Sequence, residues 1–258
     1  MREAPWFETV CGTGFAWAAS FWHNRYWMFL PKLKSFTRWR KCQALLLLLL
    51  GCFLLPAAAQ QSVATVTFSC DFPSSEPDHY VISVSDDGRA SYDSDSKLSP
   101  ESETADPFHL DFTVSQAASG RVFDLAKRAH YFEGQIDSKN KKLASTGTKT
   151  LTYKDAQKST RATYNYSPVP AVQELTAFFQ GLSTTLEFGH RLDYYLRYQK
   201  LALDEELKKM EEMSNSHELE EISAVAPVLQ KIVDDPAVIK VVRARAERLL
   251  QPAGNSGQ

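Results

Sequence analysis

An apolar run of 12 residues, Ala44–Leu55, lies early in the 258-residue chain and decides which residues are left to fold. Arg38, Arg40 and Lys41 precede it, Pro56 breaks it, and Ala57-Ala58-Ala59 follow. Basic start, apolar centre and small-residue end form the order of an export signal, cleaved between Ala59 and Gln60. The run is shorter than the roughly 20 apolar residues a helix needs to cross a bilayer, so no stable span is expected after cleavage. The expected destination is the periplasm or the exterior. Two variants stay open. One is an uncleaved anchor. The other is a lipid anchor at Cys52, because Leu49-Leu50-Gly51-Cys52 has lipobox form; it would leave Phe53-Leu54-Leu55 where a polar tether is expected.

Residues 1–27 make the basic segment before the run unusually long. Met28 opens a segment of ordinary signal-peptide length, so 28–59 is read as the signal and 1–27 as a spurious or disordered extension. All five tryptophans precede the cleavage site.

Removal of residues 1–59 changes the charge balance. Seven of 29 Lys+Arg and two of 31 Asp+Glu go with them, leaving 22 basic and 29 acidic side chains, net −7. An acidic chain lacks the basic surface that nucleic-acid binding requires, so no nucleic-acid partner is expected. Cys70 is the one cysteine of four that remains, which rules out an internal disulfide framework.

Ser62–Cys70 alternates and is β-branched, the pattern of a strand. Tyr80–Ser85 and Arg89–Ser94 flank Asp86-Asp87-Gly88, a tight-turn signal. Residues 95–106 read as a polar loop. Phe108–Val114 places Phe108, Leu110, Phe112 and Val114 on one face. Ser115 caps a helix to about Tyr131 with an apolar stripe of Val122, Phe123, Leu125, Ala126 and Ala129. A second hairpin, Thr148–Lys154 with Ser159–Tyr166, precedes a helix over Val169–Gly181, ended by its glycine. The expected fold is α+β: an antiparallel sheet built from two hairpin–helix units, residues 60–183, with helices on one face.

A helical region, 184–258, is expected to follow. Thr184 and Glu187 fit a capping box for a helix from Thr185 to about Met213. Its length suggests a coiled coil, but Gln199 and Glu206 at seam positions favour one long helix packed on the domain. Leu219–Val233 reads as a helix interrupted or started at Pro227, and Asp235-Pro236 as the start of a last helix, Ala237–Leu250.

The arrangement YVISVSDDGRASYDS, FTVSQAASGRVFDLAKRAHYF and TKTLTYKDAQKSTRATYNYSPVPAVQELTAFFQGL resembles an uncharacterised family of exported bacterial proteins over roughly residues 79–200. The resemblance implies the hairpin–helix repeat and brings no activity. VAPVLQKIVDDPAVIKVVRARAERLL resembles one helix pair of a HEAT-type repeat, implying a helical hairpin that caps the domain; a solenoid needs at least about three pairs.

The histidines after the cleavage site are His79, His109, His130, His190 and His217, without zinc-ligand spacing. Glu187 and His190 are three apart on one helix. One such pair falls short of the two pairs and extra carboxylates a dimetal site uses, so neither metal nor cofactor is expected. No nucleophile motif or phosphate-cradling glycine loop is present. Asp111 with Glu133, or Asp86 with Asp87, are the nearest approach to an acid–base pair; the turn explains the latter. Glu187, His190 and Asp193 form the candidate polar cluster. Tyr153, Tyr164 and Tyr166, and Tyr194, Tyr195 and Tyr198, are candidate contact aromatics, though they read more readily as half-buried side chains joining sheet to helix. These features point to a non-catalytic binding protein with an envelope protein as partner and no stated oligomeric state. The alternative is a periplasmic hydrolase or ligand-binding enzyme with a dispersed site.

Overall fold

A computed structural model describes residues 63–73, 75–96, 106–140 and 142–251. The expected export signal and cleavage site, Met28, Cys52 and most of the 95–106 loop lie outside them. Six strands form one antiparallel sheet: β1 (Thr65–Asp71), β2 (His79–Ser85), β3 (Arg89–Ser96), β4 (Asp106–Thr113), β5 (Thr148–Lys154) and β6 (Ser159–Tyr164). Five α-helices accompany it: α1 (Gln116–Arg128), α2 (Pro170–Tyr198), α3 (Leu203–Asn215), α4 (Ala226–Asp234) and α5 (Lys240–Leu250). The architecture is α+β.

The strand order is β4-β3-β2-β1-β5-β6. The second hairpin therefore joins the first through β1, which becomes a central strand. Gly88 turns the first hairpin at φ +84, and the Asp87 carboxylate accepts the Arg89 N–H at 3.1 Å. Asp155 turns the second, accepting the N–H groups of Gln157 and Lys158, each at 2.7 Å.

Residues in register on neighbouring strands point to the same side, so the core face consists of rows crossing the sheet. One row reads Phe112, Ala90, Val84, Val66, Tyr153, Thr160; the next reads Leu110, Tyr92, Ile82, Phe68, Leu151, Ala162. The third reads Phe108, Ser94, Tyr80, Cys70, Lys149, Tyr164 and is the most polar. Helix α2 lies across this third row. Its Thr176 bonds the Tyr164 hydroxyl, Glu187 accepts from Ser94, and His190 stacks on Phe108 with centroids 3.9 Å apart. The opposite face is half-exposed and carries Ser, Thr, Asp and His, with Thr67 bonded to Ser83 and His109 to Asp93.

Helix α1 starts where Ser115 accepts the Ala118 N–H at 3.1 Å. It ends three residues short of Tyr131, in a 3₁₀ segment where His130, Tyr131 and Phe132 all take positive φ.

Helix α2 corrects three expectations. It runs unbroken for 29 residues, through Gly181 and through the 183/184 boundary. Gly181 is not a cap. A Cβ there would lie 2.9 Å from the Glu218 carbonyl oxygen, so glycine admits a neighbouring segment. Thr184 does not cap either; mid-helix, it donates to the Gln180 carbonyl, and Glu187 is buried instead of reaching back. The helix then ends at Gln199 (φ −144), where the long helix was expected to continue. The chain turns through a 3₁₀ segment, Lys200–Ala202, and α3 packs back with Leu203, Leu207 and Met210 fully buried.

Two more boundaries move. Leu219–Glu221 is not helical, and Glu221 takes φ +51; a 3₁₀ turn and then α4 follow, with Pro227 in the first turn as expected. Asp235 accepts the Ala237 N–H in a turn, and α5 begins only at Lys240. Among the described residues, no helix is long and apolar enough to cross a membrane.

Candidate functional site

A cleft of ≈ 470 Å³ opens where the third row meets α2, α3 and the β1–β2 loop. Cys70 and Tyr80 belong to its floor, with Ser183 and Glu187 of α2 beside them. Arg191, Tyr195, Glu206 and Lys209 form one wall; Phe72, Ser75, Glu76 and Pro77 form the rim.

The helical repeat decides which α2 residues face this cleft. Ser183, Glu187 and Arg191 are four apart, so Glu187 lies about 40° from each of the other two. His190 is turned about 60° from Glu187, and Asp193 about 120°. The expected cluster is thereby divided. Glu187 faces the cleft, whereas His190 and Asp193 line a separate groove of ≈ 260 Å³ with Phe108, Leu110 and Val228. His190 lies 3.9 Å from Asp106. Asp193 is already paired with Arg197 and Lys231.

Glu187 is only 3% exposed. Its Oε1 accepts from Tyr92 Oη and Ser94 Oγ, both at 2.7 Å, and Ser183 Oγ lies 3.0 Å from the same tyrosine oxygen. Burial pushes the Tyr92 hydroxyl far above its usual range, and the carboxylate beside it adds to the effect. Burial does the same to Tyr80 and raises the Cys70 thiol, which keeps that sulfur in its weakly nucleophilic protonated form. Arg191 Nε donates to Glu206 Oε1 at 2.7 Å, and its guanidinium carbon sits 4.9 Å from the centre of the Phe188 ring. Among the residues lining the cleft, Arg191 and Lys209 bring positive charge and Glu76 and Glu206 negative charge.

Across Thr146 and Gln180 lies a second recess of ≈ 400 Å³. There Lys149, 4% exposed, donates to Thr146 O at 2.7 Å, Thr146 Oγ1 at 2.9 Å and Asn165 O at 3.2 Å. Burial without a carboxylate partner holds its ammonium below the usual lysine range. Lys149 and Ser183 were missed in the sequence. Lys149 carried a signal of a kind: it stands among the inward positions of an alternating strand.

The other candidates separate. Asp111 lies on the open sheet face beside His109, and Glu133 pairs with Lys158 at 3.1 Å. Asp87 is engaged by Arg89. Tyr195 walls the cleft; Tyr194 meets it edge-on and lies tilted against Tyr198, which is 70% exposed. Tyr153 and Tyr164 are buried where sheet meets helix, whereas Tyr166 is exposed. Among the described residues, no group of three or more His, Cys, Asp or Glu is placed to hold a metal. Neither a family model nor a curated protein matches the chain.

Proposed function

We propose that the chain is an exported binding protein that performs no chemistry of its own. It holds a polar side chain or short segment of an envelope partner in the cleft between the β1–β2 loop, α2 and α3. The convergence of Arg191, Lys209 and Glu76 around an apolar wall of Phe188 and Tyr195 carries this reading. Charges of both signs beside aromatic surface suit recognition of a zwitterionic or amide-bearing group. The groups that chemistry would need are engaged elsewhere: the Glu187 carboxylate by two hydroxyls, and Cys70 as a buried thiol. The proposed destination rests on the order of basic, apolar and small residues in 38–59, read as an export signal.

Photocrosslinking from position 209 in intact cells tests the reading. A protein adduct of defined mass is expected, and Thr184→Arg, which fills the cleft from a half-exposed helix position, should abolish it. A small molecule retained in the cleft on native mass measurement, with turnover lost in Glu187→Gln, would replace this reading with the dispersed-site enzyme.

A further inference from the structure

Strands β4 and β6 are the two edges of the sheet. Residues 131–138 run beside β6: Thr160 donates to the Tyr131 carbonyl, and Ser138 donates to Tyr166 O just beyond the strand. Strand β4 has no such cover among the described residues. Its inward bonds can be phased. Val114 N–H donates to Gly88 O at 2.9 Å, which continues the β3–β4 ladder, so Phe112, Leu110 and Phe108 also bond inward. The main-chain groups of Pro107, His109, Asp111 and Thr113 then point outward. An extended strand would satisfy the whole row at once, and although Pro107 lies near one end, the row from His109 to Thr113 has neither a lysine nor a proline to block one.

We infer that this edge pairs with β4 of a second copy of the chain, antiparallel about a two-fold axis through Leu110, making a continuous twelve-stranded sheet. The phasing allows few registers. Centring on His109 would set histidine against histidine, and centring on Asp111 would set two carboxylates against each other. Centring on Leu110 sets His109 opposite the second copy's Asp111, twice, and opposite charges across a ladder favour pairing. The Asp93 carboxylate, 2.6 Å away, raises the His109 pKa and so favours its charged form. In this register His109 and Asp111 exchange both main-chain bonds with the second copy. Pro107, which has no N–H, meets Thr113 at the ladder's end, where one missing donor matters least. Phe108, Leu110 and Phe112, only half-buried in one copy, form a continuous apolar strip across the axis. An isologous contact of this kind closes at two copies.

Sedimentation equilibrium on protein expressed from the full reading frame reads the outcome. A dimer is expected. Asp111→Pro deletes an outward N–H and leaves the inward bonds intact, so it should weaken dimerisation on the order of tenfold or more while the circular dichroism stays native. Hydrogen exchange on the unmutated protein gives a second reading that needs no variant. The amides of His109, Asp111 and Thr113 should gain protection as concentration rises, while those of Leu110 and Phe112 stay protected throughout. A monomer at sub-millimolar concentration overturns the inference. So does a dimer indifferent to Asp111→Pro, or one whose three outward amides exchange freely.

Discussion

The Tyr92 hydroxyl donates a 2.7 Å hydrogen bond to the Glu187 carboxylate, tying the middle of β3 to a helix residue 95 positions later in the chain. Both side chains are buried, so neither can turn to water if the other is removed. Tyr92→Phe and Glu187→Gln should each destabilise the fold by about 1–3 kcal/mol. Because they share one bond, the double variant should cost less than the sum of the two. Urea denaturation of the four proteins checks this; strict additivity would show that Ser94 alone carries the carboxylate.

Gly189 gives a sharper contrast. In an exposed helix, Gly→Ala normally adds about 1 kcal/mol of stability. Here a Cβ would lie 2.5 Å from Val225 Cγ1. Gly189→Ala should therefore destabilise by about 1–3 kcal/mol. Val225→Ala in the same chain should recover part of the loss, because it removes the atom in the way. Thermal melts distinguish the cases, and an unchanged melt for Gly189→Ala would contradict the packing.

Histidine titration should give stability two opposed legs. Burial holds His190 below its ordinary value of 6.5. The unfolded chain takes this proton first as pH falls, so stability declines below about pH 6.5 and levels off once the folded form is protonated too. The Asp93 hydrogen bond raises His109, which is exposed. Its contribution is complete below about pH 6.5, shrinks as pH rises through the folded-state value, and is small. His190→Gln should flatten the acid leg alone. Denaturation midpoints between about pH 7.5 and 5.5 measure it; a His190→Gln curve that kept the full slope would refute the assignment.

Cys70 should resist alkylation. It is 5% exposed, and burial raises its thiol pKa. Reaction with iodoacetamide at neutral pH should follow unfolding of the surrounding sheet and accelerate steeply with denaturant. Prompt labelling of native protein would show that the cleft floor opens locally.

Local signals in the chain proved legible where the chemistry is local. The Asp-Asp-Gly turn, the Ser115 cap, the alternating Phe108–Phe112 strand and the α+β class all follow from neighbours a few residues apart. The failures share a cause. Gly181 and Thr184 look like a helix end and a new start, and in isolation both would act so. The Glu218–Glu220 segment, packed against Gly181, makes the glycine a point of close approach, and no spacing near residue 181 announces that. The helix end at Gln199 was hidden in the same way: the chain turns there, and Leu203, Leu207 and Met210 further on are fully buried. Of the expected polar cluster, Glu187 alone lines the candidate cleft, and in other company. Counting three along the helix grouped it with His190; counting four in each direction finds Ser183 and Arg191, which share its face. Lys149 lies beside Cys70 only through the pairing of β1 with β5, a relation no local pattern contains.

That pairing also sets an order of events during synthesis. Strand β1 is made first of the six, yet it bonds β2 on one side and β5 on the other. Half of its ladder cannot form until Thr148–Lys154 has emerged. A long stretch of chain must therefore arrive while β1 stands as a bare edge bearing Val66 and Phe68. Non-local pairing of this kind is slow to form and prone to wrong partners. A ribosome making this chain presents β1 with one edge bare until β5 has followed it.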